Sequence, residues 1–143
     1  MTLSISNASA IAGLDAILAL IDGGTGPGFI RIYDGTVPDD ADAATGSPTQ
    51  IAHIVCSDPA YAGATDGGGV ATAAIDVTPA LTDGTGDATA TGAWFRIYDS
   101  DTGSVIQGAV HTSTGELNFA TVSFVAGAEI TITALPISLD ETA

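Results

Sequence analysis

The chain has 143 residues, of which 17 are acidic and only two basic, giving a formal net charge of −15. A potential this negative repels phosphate backbones and anionic lipids, so direct nucleic-acid binding and membrane binding are not expected. Hydrophobic residues make up 45% of the sequence, which is enough for one core, and the length suits one domain. We therefore predict a single acidic domain over residues 1–143.

The first predicted element is a helix over residues 8–21. Its apolar residues recur at steps of three and four: Ile11, Leu14, Ile17, Leu18 and Ile21. Ser6 or Asn7 can cap the start of this helix, and Gly23-Gly24 ends it. The segment has no basic flank, which argues against a signal peptide. We expect residues 1–24 to form an N-terminal arm and helix.

The remainder of the chain has the pattern of short strands separated by turns. The predicted strands are Gly28–Tyr33, Ile51–Cys56, Val70–Thr78, Ala90–Tyr98, Ser104–His111, Leu117–Val125 and Glu129–Leu135. Most are rich in Val, Ile, Thr and aromatic residues, as strands are. About seven strands at this spacing predict a mainly β fold, an antiparallel β-sandwich or barrel over residues 25–136. Residues 137–143 are expected to form a short tail.

One sequence pattern occurs twice, as GFIRIYD at residues 28–34 and as AWFRIYD at residues 93–99. The two copies contain both arginines of the protein, each in an Arg-Ile-Tyr-Asp context. Side chains alternate between the two faces of a strand. One face therefore carries Phe29, Arg31 and Tyr33 in the first copy and Trp94, Arg96 and Tyr98 in the second. The opposite, aliphatic face is expected to point into the core.

Two compatible interpretations of the aromatic and arginine side chains follow. The arginines can be neutralised locally within paired strands, with Asp34 and Asp99 as the nearest carboxylates in sequence. The same face can also contact another subunit, since Arg, Trp and Tyr are favoured interface residues. The candidate interface residues are Phe29, Arg31, Tyr33, Trp94, Arg96 and Tyr98, together with Ile11, Leu14 and Leu18 of the helix. Whether the two copies pair side by side is left open by the sequence.

No residue pattern supports catalysis or cofactor binding. His53 and His111 lie in predicted strands without the spacing of a zinc site, and there is no lysine for a phosphate-binding loop or a Schiff base. Cys56 lies in an apolar run and is expected to be a small buried residue. Residues 99–103 (DSDTG) resemble the start of a calcium loop but lack its later bidentate acid, so a tight turn explains them more simply. We predict a non-enzymatic protein with no cofactor and no metal.

Two stretches of the chain resemble small proteins encoded among the head and tail genes of tailed bacteriophages. The first is WFRIYDSD followed by TGSVI, at residues 94–106, and the second is AILALIDGG leading into FIRIY, at residues 16–33. The resemblance implies a virion structural protein, made in the host cytoplasm, that binds the major capsid protein or another virion protein. It implies no catalytic or ligand residue.

The favoured function is a capsid decoration (cement) protein, acting as a homo-oligomer, with a trimer favoured. A tail or head–tail-joining protein is the alternative, and it would need a long exposed hairpin that pairs with the next subunit. The predicted loops Thr36–Thr49 and Ser57–Gly69 are the candidates for that hairpin. A carbohydrate-binding module is the second alternative, with Trp94, Tyr33 or Tyr61 as a sugar platform.

Overall fold

The computed structural model describes residues 3–142 and has a mainly β fold with one N-terminal helix, as predicted. The helix α1 spans Asn7–Ile21. The twelve strands within residues 3–142 are β1 (Phe29–Tyr33), β2 (Gln50–Val55), β3 (Thr65–Asp66), β4 (Val70–Ala73), β5 (Leu81–Asp83), β6 (Ala90–Thr91), β7 (Trp94–Tyr98), β8 (Ser104–His111), β9 (Leu117–Asn118), β10 (Ser123–Phe124), β11 (Ile130–Ile132) and β12 (Ile137–Asp140).

Helix α1 has the start and the buried face that the sequence pattern predicts. Ser6 is the N-cap, and its side-chain oxygen accepts a hydrogen bond from the Ser9 amide at 3.2 Å. The buried residues are Ala10, Leu14, Leu18 and Ile21. This face packs on β4 and β12 of the chain's own sheet, so α1 is part of the domain core. Leu20, on the opposite side, is 60% exposed.

The largest sheet has five strands in the order β2-β1-β7-β8-β9. Its first four strands are antiparallel neighbours, whereas β9 runs parallel to β8, through Val110 opposite Leu117. The two copies of the repeated sequence are β1 and β7, and they lie side by side in the centre of this sheet. Their aliphatic face, Ile30, Ile32, Phe95 and Ile97, is buried in the core as predicted.

The other strands form three small sheets around the same core. One has three strands in the order β12-β4-β3, and the two others are the pairs β10-β6 and β11-β5. Leu14 and Leu18 of α1, Ile32 of β1 and Ile132 of β11 belong to one hydrophobic cluster. The helix and the sheets therefore share one core, as expected for a chain of this length.

Several predicted strands are interrupted where the chain changes its pairing partner. The predicted strand Ala90–Tyr98 is split at Gly92, whose amide bonds to the Val122 carbonyl at 2.8 Å. A Cβ on Gly92 would lie 2.6 Å from the Phe124 ring, so the chain passes this ring without room for a side chain. Before Gly92 the chain pairs with β10, and after it with β1 and β8.

Residues 137–140 differ from the prediction, because they form a strand and not a tail. Strand β12 pairs antiparallel with β4, with Ile137 opposite Ala73 and Leu139 opposite Ala71. Ile137 and Leu139 alternate with polar residues and pack against the core, which is the two-residue period of a half-buried strand. A hydrogen bond also links the first and last described segments of the chain, because the Ile5 amide donates to the Glu141 carbonyl at 2.9 Å. Residue 143 lies outside the described residues.

Gly28 provides a test of how tightly the helix end and the central sheet meet. A Cβ at Gly28 would lie 2.5 Å from the Ile21 carbonyl oxygen and 2.6 Å from the Tyr98 carbonyl oxygen, both backbone atoms. We expect Gly28→Ala to destabilise the fold by about 1–3 kcal/mol through overpacking. Urea unfolding followed by circular dichroism measures this change. Gly26→Ala is the matched control because a Cβ there has no heavy atom within 4 Å. Equal stability of the two variants would contradict this packing.

Candidate functional site: the aromatic–arginine face

The outer face of β1 and β7 carries six side chains that we call the aromatic–arginine face: Phe29, Arg31, Tyr33, Trp94, Arg96 and Tyr98. In the antiparallel register Arg31 lies directly opposite Arg96. Phe29 lies opposite Tyr98, and Tyr33 opposite Trp94. The two copies are thus related by a pseudo-two-fold axis that passes between the arginines.

The pseudo-two-fold extends to the flanking strands. On β2, His53 lies opposite Arg31, and on β8, Gln107 lies opposite Arg96. The Arg31 Nε–H donates to His53 Nδ1 at 3.2 Å, and an Arg96 terminal nitrogen donates to Gln107 Oε1 at 2.7 Å. A row of four residues, His53–Arg31–Arg96–Gln107, therefore crosses four strands, with each guanidinium bonded outward to a neutral acceptor.

Two stacked pairs of rings flank this row. Tyr33 and Trp94 stack with centroids 4.4 Å apart, and Phe29 and Tyr98 stack at 5.1 Å. The hydroxyl groups of Tyr33 and Tyr98 lie 3.1 Å apart and share a hydrogen bond. Burial, together with this bond, raises the pKa of Tyr33 to about 12. The Tyr33 phenol is therefore neutral at physiological pH.

Each guanidinium lies over an aromatic ring. The Arg31 guanidinium carbon is 4.8 Å from the Phe29 centroid and 5.4 Å from that of Tyr98, on the neighbouring strand. The Arg96 carbon is 5.4 Å from the Trp94 centroid. Such contacts contribute about 0.5–2 kcal/mol each, more where water is excluded. Arg31 is therefore bracketed by rings of both strands, whereas Arg96 lies over the Trp94 ring of its own strand.

Arg96 is 3% exposed because the loop of residues 36–49 folds over it. Its terminal nitrogens donate to the Ala43 carbonyl at 2.9 Å and to the Asp40 carbonyl at 3.1 Å. Gln107 in turn donates to the Pro38 carbonyl at 2.8 Å, and the Trp94 indole donates to the Asp34 carbonyl at 2.9 Å. The backbone of the loop thus supplies the acceptors that this buried cation requires.

Asp34 and Asp99, the carboxylates nearest to the arginines in sequence, accept backbone amides instead of the guanidiniums. The Asp34 carboxylate accepts the Thr49 amide at 2.6 Å and so closes the base of the loop. The Asp99 carboxylate accepts the amides of Asp101 and Gly103 at 2.9 and 2.6 Å. Both carboxylates are occupied by backbone donors of their own turns, whereas the acceptors of Arg31 and Arg96 are uncharged.

The bonds of Asp99 also explain the DSDTG sequence at residues 99–103 as a turn. Thr102 has a positive φ of 72°, and its amide bonds to the Asp99 carbonyl at 3.2 Å.

Across residues 3–142 there is no group of three or more His, Cys, Asp and Glu side chains placed to hold a metal ion. Two other candidate reactive groups lie away from the turn of residues 99–103. Burial raises the pKa of the Cys56 thiol to about 12, and His111 is an exposed residue at the end of β8.

Most of the candidate interface residues are already buried within the chain. Seven of the nine are buried: Phe29, Tyr33, Trp94, Arg96, Tyr98, Leu14 and Leu18. Arg31 and Ile11 are half-buried. The nine residues therefore do not form one open surface. The loop of residues 36–49 and the stacked rings cover most of the aromatic–arginine face, and the chain's own sheet covers the helix residues. A contact of the half-buried Arg31 with a partner stays a prediction.

The three rings suggested as a sugar platform are likewise inaccessible. Trp94 is 0% exposed, Tyr33 6% and Tyr61 5%. The Tyr61 hydroxyl donates to the Leu135 carbonyl at 3.2 Å inside the core. A sugar ring stacks on an exposed aromatic face, so the platform expected from the sequence does not exist in this structure.

His53, Gln107 and the carbonyls of residues 38–43 are the parts of the site that sequence reasoning did not identify. The two side chains are recognised only once the register of β2 and β8 against the central pair is known. The loop carbonyls have no residue-type signal, because any residue can supply a carbonyl oxygen. The repeated Arg-Ile-Tyr-Asp context was the only available pointer to the site.

No protein-family model, no curated protein and no solved structure matches this chain. Over residues 3–142, none of the helical structure reaches the length and apolar character needed to cross a bilayer. The candidate site is therefore defined by its own geometry: two adjacent guanidiniums, framed by four rings and closed on one side by a loop.

Replacing Arg96 tests whether its hydrogen bonds hold the loop. Arg96→Met keeps most of the side-chain volume but leaves the Ala43 and Asp40 carbonyls without their donor, so we expect a loss of about 2–4 kcal/mol in unfolding free energy. Limited proteolysis should also cut more quickly within residues 36–49. Arg31→Met is the matched control, with a smaller loss and an unchanged loop. A loss at position 31 as large as that at position 96 would refute the loop role.

His53 makes stability depend on pH. Burial, together with the Arg31 charge, lowers the pKa of His53 below 6.5, although Asp87 and Asp83 oppose this. The unfolded state then binds more protons than the folded state as the pH falls through 6.5. The contribution of neutral His53 is therefore complete above pH 6.5 and is lost as the pH falls towards the folded-state pKa.

We expect His53→Gln to flatten the dependence of unfolding free energy on pH between about 5 and 7, relative to the wild type. Chemical unfolding at several pH values measures it. His111→Gln, at the exposed histidine, is the matched control for the substitution itself, and the slopes of the two variants are compared. If the His53→Gln and wild-type curves stay parallel, His53 does not contribute to the pH dependence of stability.

Proposed function

We propose that this protein is a bacteriophage virion structural protein, and specifically a capsid decoration protein that binds the assembled head. The observation that carries the proposal is that both long loops are tied to the body of the domain. Residues 36–49 are held by Arg96 and Gln107. In residues 57–69, the Ala60 amide donates to Asp22 at 2.8 Å, and the Ala64 amide donates to Asp15 at 2.7 Å.

This arrangement favours surface attachment over stacking through an extended hairpin. A tail or head–tail-joining protein of the kind considered as the alternative would pair a long hairpin with the next subunit. The two candidate segments for that hairpin contact the chain's own helix and sheets. A domain without such a hairpin can still bind the surface of a capsid. If it binds only the assembled shell and not the free subunits, its binding stabilises the assembled state by mass action.

The charge distribution supports a protein partner. Arg96 is buried and Arg31 half-buried, so the charges that residues 3–142 expose to solvent are mostly carboxylates. Such a surface keeps the free protein soluble at high concentration and away from packaged DNA. The proposed partner is the major capsid protein or another virion protein, with contact through a surface that is less acidic than this one.

The proposed contact includes exposed apolar side chains at the chain's N-terminal side. Leu3 is 74% exposed, Ile5 38% and Leu20 60%. Residues 3–5 run along the edge of the β12-β4-β3 sheet, where Ser4 forms an isolated bridge with Thr142. An edge of this kind can pair with a strand of another subunit, which includes a second copy in a homo-oligomer such as a trimer.

The test is a cryo-electron microscopy map of purified particles of the phage that encodes the chain, compared with particles of a deletion mutant. We expect density for the domain on the outer capsid, missing from the mutant, and a lower disruption temperature for mutant heads. Density in rings at the neck or along the tail would replace this proposal with the tail function. Particles that lack the protein altogether would overturn both.

A further inference from the structure

The row His53–Arg31–Arg96–Gln107 contains one buried donor that residues 3–142 do not satisfy. A guanidinium has five N–H donors. The Arg96 Nε atom is buried and has no hydrogen-bond partner in residues 3–142, although the side chain is only 3% exposed. Buried donors without an acceptor are rare in native proteins, and they commonly mark the position of a water or an ion.

The neighbouring Arg31 is partly accessible, unlike Arg96. The rings of Phe29 and Tyr98 lie against its guanidinium, with the carbon 4.8 and 5.4 Å from their centroids. Such contacts occupy the flat face of the group and leave its in-plane edge for hydrogen bonds. Arg31 is half-exposed, and its Nε donates to His53. The remaining edge of a guanidinium has the fork geometry that binds a planar oxyanion through two parallel bonds.

The local charge favours an anion in spite of the net charge of the protein. Arg31 and Arg96 are direct cross-strand neighbours, and all the acceptors described above for them are uncharged. Neither cation is hydrogen-bonded to a carboxylate within residues 3–142, and two acidic groups, Asp83 and Asp87, lie beside His53 at the end of the row, so the pair forms a local positive site in a chain of net charge −15. The surrounding negative potential repels a divalent anion more strongly than a monovalent one. A monovalent, planar group is therefore the best match.

We propose that the Arg31 edge of the aromatic–arginine face, supported by the adjacent Arg96, is a carboxylate-binding site. The carboxylate can come from a small free acid or from an aspartate, glutamate or chain terminus of a bound protein. The site is independent of the proposed virion function, because it depends only on the geometry of the two central strands.

The test uses the fact that the protein has two arginines and no lysine, so the arginine Nε–H region of a ¹⁵N NMR spectrum holds two signals. Sodium acetate is titrated against sodium chloride at constant ionic strength, near pH 7. We expect a saturable shift of the Arg31 signal, and of the adjacent Arg96 signal, with acetate and none with chloride. Arg31→Gln assigns the signals and should abolish the response of the Arg96 signal. Arg31→Lys keeps the charge but loses the fork, and it should bind at least about tenfold more weakly.

The source of the carboxylate is distinguished by a second pair of probes. N-acetylglutamate amide should saturate the site and N-acetylglutamine amide should not, if a protein side chain is the ligand. Saturation by acetate alone identifies a small free acid. The proposal is overturned if no carboxylate gives a saturable shift, if sulfate binds as tightly as acetate, or if the Arg96 signal of folded Arg31→Gln responds as in the wild type.

Discussion

The burial of one guanidinium is the constraint on which much of this structure depends. Arg96 lies in the central strand of the largest sheet, and water reaches 3% of its surface. A cation in that position is costly unless most of its hydrogen bonds are made within the protein. The loop of residues 36–49 gives backbone carbonyls to its terminal nitrogens, Gln107 adds an amide oxygen, and the Nε–H alone has no partner within residues 3–142. The hydrogen bonds of Arg96 therefore help to fix the conformation of this loop, although Arg96 is more than 50 residues away in sequence.

The acidic composition has a structural role in addition to its effect on solubility. Five aspartates accept a hydrogen bond from the backbone amide two residues later: Asp40, Asp66, Asp76, Asp83 and Asp99. This is the Asx-turn arrangement, which replaces a backbone acceptor with a side-chain oxygen. Asp83 also accepts the His53 amide at 2.9 Å through its other oxygen, at the free edge of β2. Aspartates thus shape the turns and protect an edge strand from pairing with another chain.

The sequence predicts the elements that have a strong local period and misses those that depend on distant partners. Helix α1 and the central strands β1 and β7 are predicted because their apolar residues follow a helical or a two-residue period. Strands β3, β5 and β12 are not, since each has four residues or fewer and is defined by the strand it pairs with. The pairing of β1 with β7 explains the repeated Arg-Ile-Tyr-Asp context, yet neither His53 nor the loop carbonyls could be assigned before the register was known.

The central position of the β1–β7 pair has a consequence for the kinetics of folding. Tyr33 and Trp94, at one end of the pair, are separated by most of the middle of the sequence, so their pairing closes a large loop of chain. Closing such a loop costs entropy before the contacts compensate for it, and folds rich in distant pairings form slowly. The adjacent strands β7 and β8 are close in sequence and can pair first. Loop-closure entropy therefore predicts that the pseudo-two-fold pair at the centre of the sheet forms after the β7–β8 hairpin.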